Sequence, residues 1–194
     1  MKAMNTIKKF GYKILRKFGI VGKEYQLLPS NFPVANINTT FNQIGKLNPR
    51  VTHPTEYVVL GVLASITKQN ILEVGCYLGY SSCIMASAIS SDRKIFSVDR
   101  FEIPKNWSKK TSDNWIFKNY SQIEWATKNR NALGFESKIT FVESDSKSYA
   151  AELRNMRDRP KFDLIFIDGD HSYEGCLSDM KDYMPMLEEG GYLV

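Results

Sequence analysis

The stretch ILEVGCYLGYSS, Ile71 to Ser82, constrains this chain more than any other. Ile71 to Val74 read as a short buried strand, apolar apart from Glu73. Gly75 and Gly79 bracket a turn, and Ser81 and Ser82 open a helix that continues through Cys83, Ile84, Met85 and Ala86. Glycines at both ends of a loop let its backbone approach a ligand, because no Cβ stands in the way. The helix behind the loop points N–H groups without helical partners at the same place. A dinucleotide loop needs G-x-G-x-x-G, and that spacing is absent here: Cys76, Tyr77 and Leu78 separate the two glycines. The same stretch is also compatible with an ordinary strand–helix turn of a doubly wound sheet.

A second strand, Lys94 to Asp99, ends in an acid at the distance from the glycine loop that a ribose-binding carboxylate requires. A helix cap or an ion pair with Arg100 is the plainer role for Asp99. Ile139 to Glu143 form a third strand, closed by Ser144-Asp145-Ser146, which is also a good helix N-terminus. The apolar run Phe162 to Ile167 predicts a strand buried on both faces. It delivers Asp168, Asp170 and His171 to one strand end, an arrangement suited to acid–base chemistry or metal binding. A turn and helix cap would use Asp170 and His171 equally well. A helix from Tyr173 to Leu187 and the pair Gly190-Gly191 lead into a fifth strand.

Between the second and third strands, residues 101 to about 120 are too long and too polar for a tight connection. Trp107 and Trp115 in this stretch are candidates for stacking on a flat substrate, or for anchoring the loop. A helix is expected from about Gln122 to Leu133, stopped by Gly134.

At 194 residues the chain fits one domain with a sizeable core. The net charge of +5 is concentrated at one end: seven Lys or Arg precede Glu24 with no acid, and the remainder carries a net −2. A nucleic-acid footprint spread over the domain is therefore not expected. Residues 1–23 have helical period, with Ile7, Phe10, Ile14 and Phe18 on one face and Lys9, Lys13, Arg16 and Lys17 on the other. Such a helix lies on an anionic membrane surface, docks on a partner subunit, or packs on its own domain. Residues 24–52 read as an extended connection, rich in Asn, Pro and Thr. A helix is expected from Thr52-His53-Pro54, and the main domain spans 53–194. Cys76, Cys83 and Cys176 have neither disulfide nor zinc spacing, which favours a reducing cytoplasm.

The Glu-x-Gly-x-x-x-Gly pattern resembles motif I of the class I S-adenosylmethionine-dependent methyltransferases. Together with VDR and FDLIFIDGDHSYEG it narrows the resemblance, from roughly Glu56 onward, to small bacterial enzymes related to macrocin O-methyltransferase. The resemblance implies that Glu73 closes the first strand and that Gly75, Tyr77, Gly79 and Ser81 wrap the methionine part of S-adenosylmethionine. Asp99 and Arg100 would then sit at the ribose, and Asp145 and Ser146 at the adenine. Asp168 would bind a divalent cation such as Mg2+, His171 is the nearest candidate base, and Trp107 and Trp115 face a small-molecule or saccharide acceptor. The implied fold is a doubly wound parallel sheet of order 3-2-1-4-5. Family members continue with an acidic residue and two further strands, so a partial chain is expected. Two rival readings are a nucleotide-dependent oxidoreductase, opposed by the missing G-x-G, and a non-catalytic cofactor-binding subunit.

Overall fold

The computed structural model describes residues 34–47, 54–102 and 115–194. Five parallel strands form one sheet: β1 (Asn70–Val74), β2 (Ile95–Asp99), β3 (Ile139–Glu143), β4 (Phe162–Ile167) and β5 (Leu187–Leu193), in the spatial order β3-β2-β1-β4-β5. Helices α1 (Val34–Leu47), α2 (Pro54–Ile66), α3 (Tyr80–Ala88), α4 (Trp115–Asn119) and α5 (Gln122–Ala132) precede β3 in the chain. Helices α6 (Ser146–Asn155) and α7 (Tyr173–Tyr183) follow it. The order matches the sequence expectation.

Strand alternation explains the two layers. Ile71 and Ile95 join a core with α1, α2, α3 and α5, while Leu72, Val74 and Val98 join a second core with Tyr149, Leu153 and Tyr183. Successive side chains of a strand point to opposite faces, so a sheet covered on both sides needs apolar residues at every position. Burial of β1 from Ile71 to Val74 follows that rule. Its exception is Glu73, which lies on the α3 side and is fully buried.

Two sequence expectations are corrected. The stretch 24–52 is not an extended connection throughout, because Val34–Leu47 is a helix. Ile37, Thr40 and Ile44 are buried on it, with Phe41 packed against the same core. Their i, i+3, i+4, i+7 spacing is that of a helix face, which the Asn and Thr residues around it obscured. The fifth strand also begins earlier than expected, at Leu187, so Gly190 and Gly191 lie inside it. Phe162 pairs with Leu187 and Leu164 with Tyr192, so two steps along β4 face five along β5. The surplus forms a bulge, where Gly190 takes a left-handed φ of 78°. Residues 1–23, His53 and Trp107 lie outside the described residues. Among the described residues no helix is long and apolar enough to cross a membrane.

Candidate functional site

The chain runs outward from β1 through α3 to β2 and β3, then returns to place β4 on the other side of β1. Loops leaving β1 and β4 therefore diverge, and ligands of open α/β sheets bind in the crevice this creates. The 75–79 loop is the floor of that crevice. Gly75 has φ 83° and Gly79 φ 74°. A Cβ on Gly75 would stand 2.5 Å from the Asp168 carbonyl oxygen and 2.5 Å from the Gly169 Cα. Only glycine allows the β1 loop to cross the end of β4 this closely. The crossing is tied by the Asp168 N–H donating to the Val74 carbonyl at 2.7 Å and the Gly75 N–H donating to the Val98 carbonyl at 2.8 Å. Gly79 is the N-cap of α3 and provides no side-chain cap.

Asp99 holds this loop. Its Oδ2 accepts from the N–H of Cys76 at 2.9 Å and of Tyr77 at 2.8 Å, and its Oδ1 accepts from the N–H of Phe101 at 2.8 Å. Tyr77 (φ 50°) and Phe101 (φ 52°) are the two non-glycine residues with positive φ among those described. Such a backbone costs about 1–2 kcal/mol per residue, and the charge-assisted bonds to one carboxylate offset it. A carboxylate has about four acceptor sites, so in this arrangement Asp99 retains one for a ligand hydroxyl. The neighbouring Arg100 is exposed; hydrogen bonds from Ser172 hold the Asp170 carboxyl below its usual pKa, and the Arg100 charge adds a little to that.

Glu73 supports the loop from beneath and does not line it. Its Oε2 accepts from the hydroxyls of Ser82 and of Ser97, the latter at 2.6 Å, and the Ser81 hydroxyl bonds the same carboxyl. Burial raises its pKa to about 7, against the lowering effect of the three serines. Its Oε1 is buried without a partner. Sequence reading missed Ser97 here. The signal was available in the pairing of adjacent strands, which sets Ser97 directly opposite Glu73.

On the far side of the crevice the groups are open. His171 Nε2 lies 4.0 Å from Asp168 Oδ1, with side chains 81% and 49% exposed. The Asp168 pKa is raised by burial and by the charge of Glu56 on α2, with His171 opposing. Asp170 accepts from the Ser172 N–H at 2.9 Å, and Ser172 caps α7 by accepting from the Gly175 N–H. Asp170 therefore shapes the turn, as one of the two sequence readings had it, and His171 is the residue that turn carries. Among the described residues no group of three His, Cys, Asp or Glu side chains is gathered closely enough to hold a metal ion.

Asp145 caps α6, its Oδ1 accepting from the Ser148 N–H at 3.0 Å. The carbonyl of Ser146 accepts from the Tyr183 hydroxyl at 2.6 Å, and its own hydroxyl bonds Asp179. Asp179, buried on α7 with a raised pKa from that burial, was not singled out from sequence. Trp115 begins α4. From the same short helix, Phe117 packs on Tyr77 of the glycine loop with ring centroids 6.0 Å apart.

The fold and this crevice define a class: a doubly wound α/β domain with a cofactor loop after its central strand. The sequence matches the methyltransferase-domain family over residues 72–194, and the chain belongs to that family. It is thus a class I methyltransferase domain. No curated protein sequence matches the chain. Its fold is similar to that of an O-methyltransferase from Bacillus cereus in complex with SAH (19% identity, 87% of this chain and 67% of that one, TM-score 0.58). It is also similar to an O-methyltransferase of tomaymycin synthesis from Streptomyces achromogenes in complex with SAM (15% identity, 87% and 66%, TM-score 0.58). A methyltransferase from Geobacter sulfurreducens is a third (21% identity, 86% and 71%, TM-score 0.53). At these identities the likeness is one of fold, and the chain spans about two thirds of the length of the first two structures.

Proposed function

We propose that this chain transfers a methyl group from S-adenosylmethionine to an oxygen of a small polar acceptor, with a saccharide hydroxyl as the acceptor favoured by the sequence resemblance. The observation that carries the reading is the Gly75–Gly79 loop, held open over the strand ends by Asp99. The residues present suit the cofactor. The loop has no side chain where Gly75 passes β4, the first turn of α3 has no side-chain cap, and Asp99 keeps an acceptor site for a ribose hydroxyl. When bound, S-adenosylmethionine supplies an electrophilic methyl group.

The chain's own residues supply position and proton transfer. Asp99 and the loop N–H groups fix the donor end of the crevice. His171, at its mouth, accepts the proton of the acceptor hydroxyl as the oxygen becomes a nucleophile. Asp168 orients the imidazole and stabilises its protonated form, after a small rotation that closes the 4.0 Å gap. The resemblance also offers Asp168 to a divalent cation, but no cluster of three ligands surrounds it among the described residues, so no step is routed through a metal.

Calorimetric titration with S-adenosylhomocysteine, with NAD in parallel and Asp99→Ala as control, tests the cofactor. Binding of the first ligand alone, weakened by the substitution, is the expected result. Preference for NAD would overturn the reading. Release of label from methyl-labelled S-adenosylmethionine into an added acceptor separates an enzyme from a subunit that only binds.

A further inference from the structure

Glu73 is the buried acid that the proposed chemistry leaves unused. It is fully enclosed beneath the Gly75–Gly79 loop, between β1, β2 and the first turn of α3. Ser81, Ser82 and Ser97 bring hydroxyls to its carboxyl, and those of Ser82 and Ser97 both meet Oε2. Oε1 is buried with no partner. A buried carboxylate keeps its charge where several donors or a cation stabilise it, and Oε1 receives neither. The pKa of about 7, raised by burial, agrees with that geometry.

The kind of donor matters. Asp99 is met by three backbone N–H groups, which only donate. The serine hydroxyls around Glu73 rotate, donating to the anion or accepting from the acid. Ser97 and Ser82 also lie within reach of each other, at 3.1 Å, so either form of the carboxyl finds a bonded arrangement. The ionisable neighbours bring it no positive charge. Asp168, at the end of β4, has the same sign. Cys76 in the loop and Cys83 on α3 are thiols whose pKa burial pushes up, so both stay neutral. Asp99 of β2 and Arg130 of α5 act on those thiols rather than on Glu73. A cation beside this carboxyl would therefore be a ligand's.

We propose that Glu73 is a charge sensor beneath the cofactor loop: it holds a proton in the unliganded chain and releases it to solvent when the sulfonium of S-adenosylmethionine settles in the loop. The inference rests on the cofactor reading given under Proposed function and adds proton coupling to it. Ionised Glu73 favours the sulfonium ligand over S-adenosylhomocysteine, whose thioether sulfur carries no charge. When the cation leaves, the carboxyl takes a proton back. The loop thereby grips the charged donor more firmly than the spent one. Affinity for the donor rises as pH climbs through the pKa of Glu73 and levels off above it.

Calorimetry of the intact chain at pH 6.5, in two buffers of different ionisation enthalpy, counts the protons released per ligand bound. If the ionised form binds the sulfonium tenfold more tightly, S-adenosylmethionine should release roughly half a proton, and its affinity should rise roughly fourfold from pH 5.5 to 7. S-adenosylhomocysteine should release distinctly less. Glu73→Gln should bind S-adenosylmethionine without that release. Because a buried amide could impair folding, the parent chain labelled with carboxyl-13C glutamate gives a second readout: the Glu73 signal should move from its acid to its carboxylate position as S-adenosylmethionine is added. Equal release by the two ligands, release that survives Glu73→Gln, or a Glu73 signal that stays still would overturn the inference while leaving the cofactor reading intact. Failure of both ligands to bind would overturn the cofactor reading and this inference with it.

Discussion

The two rims of the crevice are built differently. On the β1–β2 side the carboxylates are held in place: Asp99 takes three backbone N–H groups, and Glu73 sits beneath in a pocket of serines with one oxygen unpartnered. On the β4 side Asp168 and His171 stand half in water, 4.0 Å apart, held by little besides the turn that carries them. The first rim is complete before a ligand arrives. The second is completed by its ligands. A site that must grip one cofactor and release many products gains from fixing the grip and leaving the reacting groups able to adjust.

Breaking the fixed rim has the largest expected effect. Gly75→Ala places a Cβ against the Asp168 and Gly169 backbone at a φ of 83°. It should cost ~3 kcal/mol or more in urea unfolding and abolish S-adenosylhomocysteine binding. Asp99→Ala comes next, since it strands three N–H groups and removes the proposed ribose acceptor. Its cofactor affinity should fall roughly 100-fold by calorimetry, with Asp99→Asn intermediate. An affinity within twofold of the parent would mean that the clamp is not part of the grip.

The buried carboxyl gives a pH-dependent effect. Glu73 has a folded-state pKa raised from 4.5 to about 7 by burial. The folded chain therefore keeps a proton that the unfolded chain releases, and this contribution stabilises fully at and below pH 4.5. It is lost as pH rises to about 7, by up to ~3 kcal/mol. Urea midpoints across that range should decline for the parent, and Glu73→Gln should flatten the decline. The open rim should register least in the fold. His171→Ala is expected to change stability by less than ~0.5 kcal/mol and leave cofactor affinity unchanged. It should slow methyl transfer by about 100-fold or more. A matching loss of affinity would show that the rims are one unit.

Much of this arrangement was legible in the residues. The strands were legible as apolar runs punctuated by acids, their order as what the resemblance implied, and the loop from the spacing of Gly75 and Gly79. The direction of Glu73 was not legible. A strand covered on both faces is apolar throughout, so one acid within it does not declare which layer it enters. Its partner Ser97 emerges only when β2 is laid against β1 in register. Helix α1 was hidden for a different reason: Asn and Thr filled its outer face, and three apolar residues at helical spacing drew less notice than the polar ones between them. Asp145 offered two roles from sequence, and the structure places it in one of them, the cap of α6.

The Asp99 clamp also makes the loop a reporter of its own state. Three amide protons, those of Cys76, Tyr77 and Phe101, share one carboxylate. Charge-assisted bonds of this kind are short and polarised, so all three signals belong far downfield in an amide spectrum. Whatever draws on that carboxylate must disturb the three together. A ligand that fills the crevice without touching Asp99 will leave them still, and one that reaches it will move them as a set. The arrival of any ligand at Asp99 is thus written into three resonances from two separate segments of backbone, with no label added.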